Sequence, residues 1–520
     1  MYIFIPSWYS NERSWFSIEK EWFRDEKQYE FDDTVNQVRL FRDAEEETRI
    51  LLLSYAPAFQ HFLHRQNLSS VPVDAVFDVM QSIHTSMPGL LSARNLAWPA
   101  HAAWFYTPYA TYVYVEEKLY ARVDYGEDGN FLFVSYYQEG LEVRKDFYDD
   151  RGFLSSSVLL NRSIPLKRIF YDAEGHRQFV ENRISGIVTI EDGAGYTFQK
   201  KRYESLTEMI EEVTYRYFHE ERAKSATVVM ATNAWHDELV LEALAEQPLV
   251  LSYYGDRFYL DDEEDIKQDT KRASMIITDT EKTARRIRDI IGDTVRVHDI
   301  SPYDTRLSLG MSQQISALKV LMPIDHFQEE YLRKALDQVL FYMKKNRDVE
   351  LHLVTRTSDP HRLETVRNAL ETLFTQLGYP GKIALEASEE ESDPEAIYPS
   401  ATRPRIFLRQ YMSELELIQM LKDIRLILDL RDQPNLYLQI AGISAGIPQV
   451  NYRYTRYVEH LKNGYIVQNI DHVTEGLAYY LTGLKHWNEA LIYCMDKIHG
   501  NQGEVLVKKW KEWMEGGESA

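Results

Sequence analysis

The sequence predicts an α/β fold in which two Rossmann-type domains carry an antiparallel β-sheet inserted into the first domain. Three observations support this prediction. Short apolar runs alternate with helical patterns at the start of the chain and again from Thr227, as the strands and helices of a parallel sheet do. Between these stretches, from about Trp104, the chain alternates in the manner of strands. A second α/β stretch begins near Ser301.

Apolar runs near the N-terminus predict the first strands of a parallel sheet. Tyr2–Pro6 and Ile50–Leu53 have the composition of buried strands, and Asp74–Met80 is a third candidate. Further strands are predicted where the same character returns, at Thr227–Met230, Leu249–Leu251 and Met275–Thr278. We therefore assign residues 1–104 and 221–300 to a first Rossmann-like domain that is split in the sequence.

An internal repeat marks the segment between the two halves of this domain. Its tyrosines and glycines recur 23 residues apart, at Tyr125, Tyr148 and Tyr171 and at Gly129, Gly152 and Gly175. Each repeat places acidic residues and a glycine between apolar runs, as a hairpin turn requires, because glycine supplies the positive φ. A chance recurrence of turn residues is the alternative, and two coincident spacings argue against it. The repeat predicts an antiparallel β-sheet insertion over residues 105–220.

The second α/β stretch predicts a second Rossmann-like domain over residues 301–495. Val320–Met322 and Val349–Val354 are its predicted first strands, and an amphipathic helix is predicted between them over Gln328–Lys345. Residues 496–520, which contain Trp510 and Trp513, follow this domain as the last segment of the sequence.

Composition excludes several classes of function. The 520 residues carry a net charge of −22, which argues against broad binding of nucleic acid. Cys494 is the one cysteine, so no internal disulfide forms, and its apolar helical neighbours predict a buried structural thiol. The N-terminus has no signal-peptide pattern and no apolar run approaches the length of a membrane span, so a cytoplasmic protein is expected.

A motif in the second domain points to a nucleotide-sugar fold. Leu426–Leu430 predicts a buried strand, and Ala441–Pro448 leads through a helix-like stretch into the next strand. This arrangement resembles the C-terminal half of a retaining GT-B glycosyltransferase. In that family two acidic residues precede an Ala-Gly-x-Pro turn, which contains Gly446 here. The corresponding places hold Gln433 and Ala441, so both carboxylates are missing.

Two further features of the family's donor site are also changed. The loop Ser7–Arg13 stands where the family has a glycine-rich loop near the donor phosphates, and it contains no glycine. Pro323 and Gln328 stand where an arginine and a lysine would neutralise the diphosphate leaving group. No lysine or arginine occurs between Val320 and Leu332. The resemblance thus implies a GT-B-like body that lacks catalytic residues, a cofactor and a metal. It also implies that residues 496–520 form a C-terminal helix that crosses back to the first domain, as in the GT-B fold.

The opening of the chain sharpens the resemblance. Phe4-Ile5-Pro6-Ser7-Trp8-Tyr9 is similar to the start of the glycosyltransferase-like accessory Sec proteins of streptococci and staphylococci, the first of that system's three companion proteins. The resemblance implies a non-catalytic role in exporting serine-rich repeat adhesins. It implies a complex with two other accessory secretory proteins, engagement of the adhesin, and work with the accessory Sec motor ATPase. The protein would be cytoplasmic and would meet the membrane only by docking at the accessory translocon.

Two other functions remain open from the sequence. The chain could be an active glycosyltransferase for the same adhesin, or a carbohydrate-binding module. In the export role itself, exposed tyrosines of the insertion would stack on sugars of the adhesin, and the candidates are Tyr112, Tyr114, Tyr136 and Tyr137. Packing within a half-buried sheet is the alternative role for these tyrosines, and we expect it for at least half of them.

Overall fold

The computed structural model describes residues 1–10, 15–17, 32–85, 89, 91–126, 129–255, 257, 262–300, 312–325, 329–356, 360–378, 384–385, 405–411, 414–432, 434–500 and 503–515. The chain divides into two compact units. The first comprises Met1–Asp279 with Thr283–Asp299, and the second comprises Thr280–Lys282 with Ile300–Ala520. None of the helices described is both long enough and apolar enough to span a lipid bilayer.

The first unit begins with the central strands of a parallel sheet. In chain order its first elements are β1 (Tyr2–Ile5), α1 (Asp33–Asp43), β2 (Thr48–Leu52), α2 (Phe59–Arg65), β3 (Val73–Ala75) and α3 (Val76–Gln81). All four residues of β1 are buried, as expected for a strand covered on both faces.

An antiparallel sheet follows within the same unit. Its strands are β4 (Ala103–Tyr106), β5 (Ala110–Val115), β6 (Lys118–Tyr125), β7 (Phe131–Gln138), β8 (Leu141–Asp149), β9 (Phe153–Asn161), β10 (Ile164–Tyr171), β11 (Arg177–Asn182), β12 (Val188–Ile190) and β13 (Arg202–Tyr203). They pair in sequence order, so the sheet is a meander. Phe170 and Phe179 join the hydrophobic core that contains Ile3 and Leu51, which ties the meander to the parallel sheet.

The chain then returns to complete the parallel sheet. The remaining elements of the unit are α4 (Leu206–His219), β14 (Thr227–Ala231), α5 (Asp237–Ala243), β15 (Leu249–Tyr253), α6 (Glu263–Thr270), β16 (Ala273–Thr278), α7 (Glu281–Ile291) and β17 (Arg296–Asp299). The strand order is β17-β16-β15-β14-β1-β2-β3. The order reverses between β1 and β14, which is where ligands usually bind in such sheets.

The turns of the 23-residue repeat are confirmed. Gly129, Gly152 and Gly175 adopt φ values of 80°, 95° and 88°. They lie in the connections β6–β7, β8–β9 and β10–β11. The prediction succeeded because a left-handed backbone at a hairpin turn selects glycine strongly.

Two sequence predictions for the first unit were wrong in part. Asp74–Met80 was predicted as a strand, but the strand ends at Ala75 and α3 follows, since Val76 and Met80 share the buried face of a helix. The segment 105–220 was predicted as sheet throughout, but its end forms α4. Ser205 caps this helix, accepting a hydrogen bond from the Glu208 N–H at 3.2 Å.

The second unit contains another parallel sheet. Its elements are β18 (Leu318–Pro323), α8 (Glu329–Lys345), β19 (Val349–Arg356), α9 (Pro360–Gln376), β20 (Ala384–Leu385), β21 (Ile406–Tyr411), α10 (Glu414–Leu421), β22 (Leu426–Asp429), α11 (Leu436–Ser444), β23 (Gln449–Asn451), β24 (Gly464–Ile466), α12 (Val473–Leu481), α13 (Lys485–Gly500) and α14 (Gly503–Met514). The strand order is β20-β21-β19-β18-β22-β23-β24, which reverses between β18 and β22.

The end of the second unit corrects one predicted boundary. Helix α13 runs to Gly500, so a boundary after residue 495 would cut through it. The final helix is α14, and it is counted with the second unit. That this helix packs on the first domain stays a prediction. The boundary dipeptide Ser301-Pro302 lies outside the described residues.

Candidate functional site

The reversal point of the second sheet, between β18 and β22, is the place where a nucleotide sugar would be expected. Pro323 is the last residue of β18 and is buried. Ala441 lies in α11 and is half-buried against the core beneath that helix. Gln328 and Gln433 lie outside the described residues, so their predicted roles stay predictions.

Gly446 has a structural role at the end of α11. Its φ is 70°, and its N–H donates to the Ile443 carbonyl at 3.0 Å. The next N–H, of Ile447, donates to the Gly442 carbonyl at 2.8 Å. This pair of bonds is the Schellman motif, in which a glycine in the left-handed region ends a helix. The turn therefore needs no ligand to explain its glycine.

A buried ion pair at the end of β22 was missed by the sequence analysis. The Arg431 guanidinium donates two hydrogen bonds to the Asp429 carboxylate, Nε to Oδ1 at 2.8 Å and Nη2 to Oδ2 at 2.7 Å. Asp429 is 1% exposed and Arg431 is 7% exposed. Asp429 also accepts from the Asn435 N–H at 3.1 Å, and Asn435 caps α11. The sequence signal for this pair is an acidic and a basic residue two positions apart at the end of a predicted strand. This spacing does not reveal whether the pair is buried.

Asp429 dominates the electrostatics of Arg431. Burial lowers the pKa of the Arg431 guanidinium, but the charge and hydrogen bonds of Asp429, with smaller contributions from Tyr411 and Asp325, raise it overall. Asp325 lies just beyond β18. It accepts hydrogen bonds from the Thr355 hydroxyl at 2.6 Å and from the Arg356 N–H at 3.0 Å. The Asp429 carboxylate is therefore the paired counter-charge of Arg431, and Asp325 adds negative charge near the same reversal point.

Described side chains of the first unit pack against one another at the reversal point of its sheet. After β1, the Tyr9 hydroxyl bonds His236 Nδ1 at 2.7 Å, while His236 Nε2 lies 2.9 Å from the Ala231 carbonyl. A carbonyl only accepts, so Nε2 carries the proton and Nδ1 accepts from Tyr9. Burial lowers the pKa of His236 to about 3, so the ring is neutral. A neutral buried imidazole with both nitrogens bonded is a structural group.

The glycine-free loop after β1 is also packed by aromatic rings. Trp8 is 3% exposed, and its ring lies 4.9 Å from that of Phe62 and 5.8 Å from that of Phe59. The Ser7 hydroxyl accepts a hydrogen bond from the Asn233 amide at 2.7 Å. Residues Asn11–Arg13 of this loop lie outside the described residues. The aromatic side chains of the described part of this loop, Trp8 and Tyr9, are therefore buried.

Three of the four predicted tyrosines lie together on one face of the antiparallel sheet. Tyr112 and Tyr114 are two apart in β5 and therefore share a face, and both are half-buried. Arg122 is the cross-strand partner of Tyr112, with its guanidinium 5.9 Å from the ring. Ser135 is the cross-strand partner of Arg122 in β7, and Tyr137, two residues further along β7, lies on the same face. Phe105, the partner of Tyr112 in β4, is 60% exposed. We call Phe105, Tyr112, Tyr114, Arg122 and Tyr137 the aromatic face.

The fourth tyrosine, Tyr136, belongs to the opposite side of the sheet. It is 8% exposed and packs in a cluster whose ring centroids include Tyr120 at 5.8 Å and Trp98 at 6.2 Å. Its ring is therefore not available for stacking on a sugar. The contact prediction for Tyr136 is corrected to a packing role, because adjacent residues in a strand point to opposite faces.

Two further sets of side chains are of the types that can bind a metal ion or act as a nucleophile. Asp172, Glu174 and His176 bring ligand-type atoms within 4.8 Å of one another. Asp172 already organises this turn, since its Oδ1 accepts from the N–H groups of Glu174 and His176 at 3.0 and 2.8 Å. Cys494 is buried in α13, and burial raises the pKa of its thiol to about 12. The prediction of a buried structural thiol is confirmed.

Known proteins resemble the chain over nearly its whole length. The family model for the first accessory Sec system protein (accessory secretory protein 1) matches residues 1–517. The corresponding accessory Sec system protein of Streptococcus gordonii is 33% identical over 522 residues, which are 99% of each protein.

Solved structures show the same fold. A chain in the crystal structure of accessory secretory protein 1, 2 and 3 in Streptococcus pneumoniae is 30% identical, with a TM-score of 0.84 over 99% of both chains. The pneumococcal O-GlcNAc transferase GtfA, in complex with UDP and GlcNAc, has a TM-score of 0.71 and 12% identity over 99% of this chain and 98% of that one. The second likeness concerns the fold alone. Together they confirm the prediction of a GT-B-like α/β fold with an added antiparallel sheet.

Proposed function

Because this chain belongs to the family of the first accessory Sec system protein, we propose that it is a non-catalytic component of accessory Sec export. In this role it binds partner accessory secretory proteins and a serine-rich repeat adhesin. The observation that carries the non-catalytic part is the Asp429–Arg431 pair, which commits a buried cation at the reversal point to a carboxylate of the same chain.

Electrostatics support the absence of sugar transfer. A retaining transferase stabilises a diphosphate leaving group with positive charge that is free to meet it. Here Arg431 is neutralised by Asp429, and Asp325 adds a second negative charge nearby. The sequence between Val320 and Leu332 supplies no lysine or arginine. The proposal therefore assigns no catalytic residue, cofactor or metal to this crevice.

The proposed partners follow from the relatives. The related pneumococcal chain was solved together with two further accessory secretory proteins, and we propose an equivalent hetero-complex for this chain. The proposal places that complex in the cytoplasm, where it would work with the accessory Sec motor ATPase. Contact with the membrane would occur only by docking at the accessory translocon.

The aromatic face supports engagement of the glycosylated adhesin. Aromatic rings stack on the apolar faces of sugars, and a neighbouring arginine supplies hydrogen bonds to hydroxyl groups. Phe105 is more than half exposed, while Tyr112 and Tyr114 are half-buried and thus held in place by the sheet. This surface suits weak, repeated contacts with a heavily glycosylated chain.

A deletion strain tests the proposal. Removal of the gene should reduce the amount of adhesin at the cell surface, and the tagged protein should co-purify with two accessory secretory proteins and the adhesin. Normal surface adhesin in the deletion strain, together with elution of the protein alone from lysates, would overturn the proposal.

The likeness to a UDP-bound transferase fold favours one second candidate, an active glycosyltransferase for the adhesin. Calorimetric titration with common nucleoside diphosphate sugars separates the two functions. The non-catalytic protein should give no heat at micromolar affinity, which corresponds to about −8 kcal/mol. Donor binding with turnover would establish the enzyme instead.

A further inference from the structure

Strand β3 ends the parallel sheet of the first unit, since no further described strand pairs with its outer side. It pairs in parallel with β2, with Ile50 opposite Val73. The Ile50 N–H donates to the Pro72 carbonyl at 3.0 Å, which sets the phase of the ladder. In this phase Asp74 directs both backbone groups toward β2, whereas the N–H groups of Val73 and Ala75 and the Val73 carbonyl point away from the sheet.

These outward backbone groups have no bonding partner in the described part of the chain. No hydrogen bond from another described residue reaches the Val73 N–H, the Val73 carbonyl or the Ala75 N–H. Both residues are half-buried, so these backbone groups are partly shielded from solvent and still accessible to a bound segment. Unpaired ladder groups at a sheet edge are the groups to which an added strand bonds.

A cavity of about 630 Å³ opens directly onto this edge. Val73 and Ala75 line it, and its walls include Leu63 of α2, Gln81 of α3 and Tyr217 of α4. Its volume lies within the range typical of specific binding sites. The edge of β3 is therefore the floor of a walled groove and not part of a flat surface.

Acidic side chains outnumber arginines in the lining of the groove, and the arginines are all paired within the chain. Each of its three arginines is ion-paired, Arg151 with Asp78 and Asp149, Arg216 with Glu212, and Arg222 with Asp74 and Glu220. Because these arginines are already ion-paired, they would not attract an acidic segment. Ser69 and Ser70 are exposed and Ser82 is half-buried in the lining of the groove, and their hydroxyls suit small polar side chains.

We propose that β3 accepts an extended, uncharged, serine-rich polypeptide segment as an additional strand of the first sheet. The inference rests on the proposed function, because the serine-rich adhesin is the partner that offers such a segment. Backbone pairing reads no particular sequence, so one groove serves many similar repeats. The groove would hold the polypeptide, and the aromatic face would meet its sugars.

A fluorescent peptide of alternating serine and alanine tests this inference on the full-length protein. The peptide should bind, and the same peptide N-methylated at every residue should not, because full methylation removes the N–H groups from both edges of the extended peptide. The matched protein variants are Val73→Pro and Val73→Ala. Proline removes the outward N–H without breaking a bond to β2, and alanine keeps that N–H while shortening the side chain.

We expect Val73→Pro to weaken peptide binding about tenfold and Val73→Ala to change it less than about twofold. Thermal denaturation and co-purification with the accessory proteins serve as the folding controls for both variants. Ala75→Pro, which removes the other outward N–H, should weaken binding in the same direction.

Two results would overturn the inference and leave the proposed function standing. One is equal peptide binding by Val73→Pro and wild type. The other is failure of the wild type to bind the peptide while it still co-purifies with the adhesin. Failure of the wild type to co-purify with the adhesin or with accessory proteins would instead overturn the proposed function itself.

Discussion

Asp429 and Arg431 form a bidentate ion pair at the carboxyl end of β22, with N···O distances of 2.8 and 2.7 Å and both side chains buried. In a transferase with this fold the same region would present positive charge to a diphosphate. Here the Arg431 guanidinium is paired with Asp429. Substitution of either residue should therefore change the stability of the fold more than it changes ligand binding.

Breaking the pair on one side should destabilise the protein strongly. Asp429→Asn leaves the Arg431 guanidinium buried without its counter-charge, which costs about 3 kcal/mol or more. The exposed pair Arg453–Asp432 offers a matched control, and Asp432→Asn should cost less than about 1 kcal/mol. Urea denaturation measures both values. Equal losses for the two variants would contradict the importance of burial.

Restoring the two family carboxylates should not create a transferase. The double variant Gln433→Glu, Ala441→Glu restores two acidic residues to the sequence, but Arg431 at the reversal point stays paired with Asp429. We therefore expect no hydrolysis or transfer of common nucleoside diphosphate sugars, as measured by release of the nucleoside diphosphate. Activity in this variant would mean that the rest of the donor site is intact.

Asp32 should contribute stability to the fold that decreases as pH rises from about 4 to about 7. Burial, and next the Asp33 carboxylate, raise the pKa of Asp32 to about 7 in the folded state. The unfolded value is about 3.9, so the folded state binds the proton more tightly. This contribution is fully present below about pH 4 and is lost as pH rises through about 7.

Asp32→Asn isolates this effect. The variant keeps an oxygen that can accept from the Thr34 N–H, as the Asp32 Oδ1 does at 2.7 Å, so the cap of α1 is retained. Relative to wild type it should gain stability between pH 5 and pH 8, by roughly 2 kcal/mol. Denaturation curves at the two pH values measure the difference. Parallel pH dependence in both proteins would show that Asp32 is ionised when folded.

The two opposite faces of the antiparallel sheet should respond differently when a tyrosine side chain is truncated to alanine. Tyr136→Ala opens a cavity in a buried aromatic cluster and should cost about 3 kcal/mol. Tyr112→Ala removes a half-exposed ring of the aromatic face and should cost less than about 1 kcal/mol. Only Tyr112→Ala should reduce retention of glycosylated adhesin in co-purification. Reversed effects would mean that the two faces have been assigned the wrong way round.

The successful sequence predictions share a local physical cause. Hairpin turns at Gly129, Gly152 and Gly175 need a left-handed backbone, and the buried strands need continuous apolar runs. The failures depend on longer patterns. Asp74–Met80 mixes strand and helix because its apolar spacing changes at Val76. The Asp429–Arg431 pair could not be predicted, because its energy depends on burial that only the folded sheet provides.

The single thiol, Cys494, gives the protein a practical property. Its burial in α13 and the raised pKa of its sulfur make it unreactive toward maleimides at neutral pH. A cysteine introduced on the surface would then be the only site labelled. One such cysteine in each unit would carry a pair of fluorescent dyes without a cysteine-free background. Energy transfer between the dyes would report whether the distance between the labelled sites changes when accessory proteins or the adhesin bind.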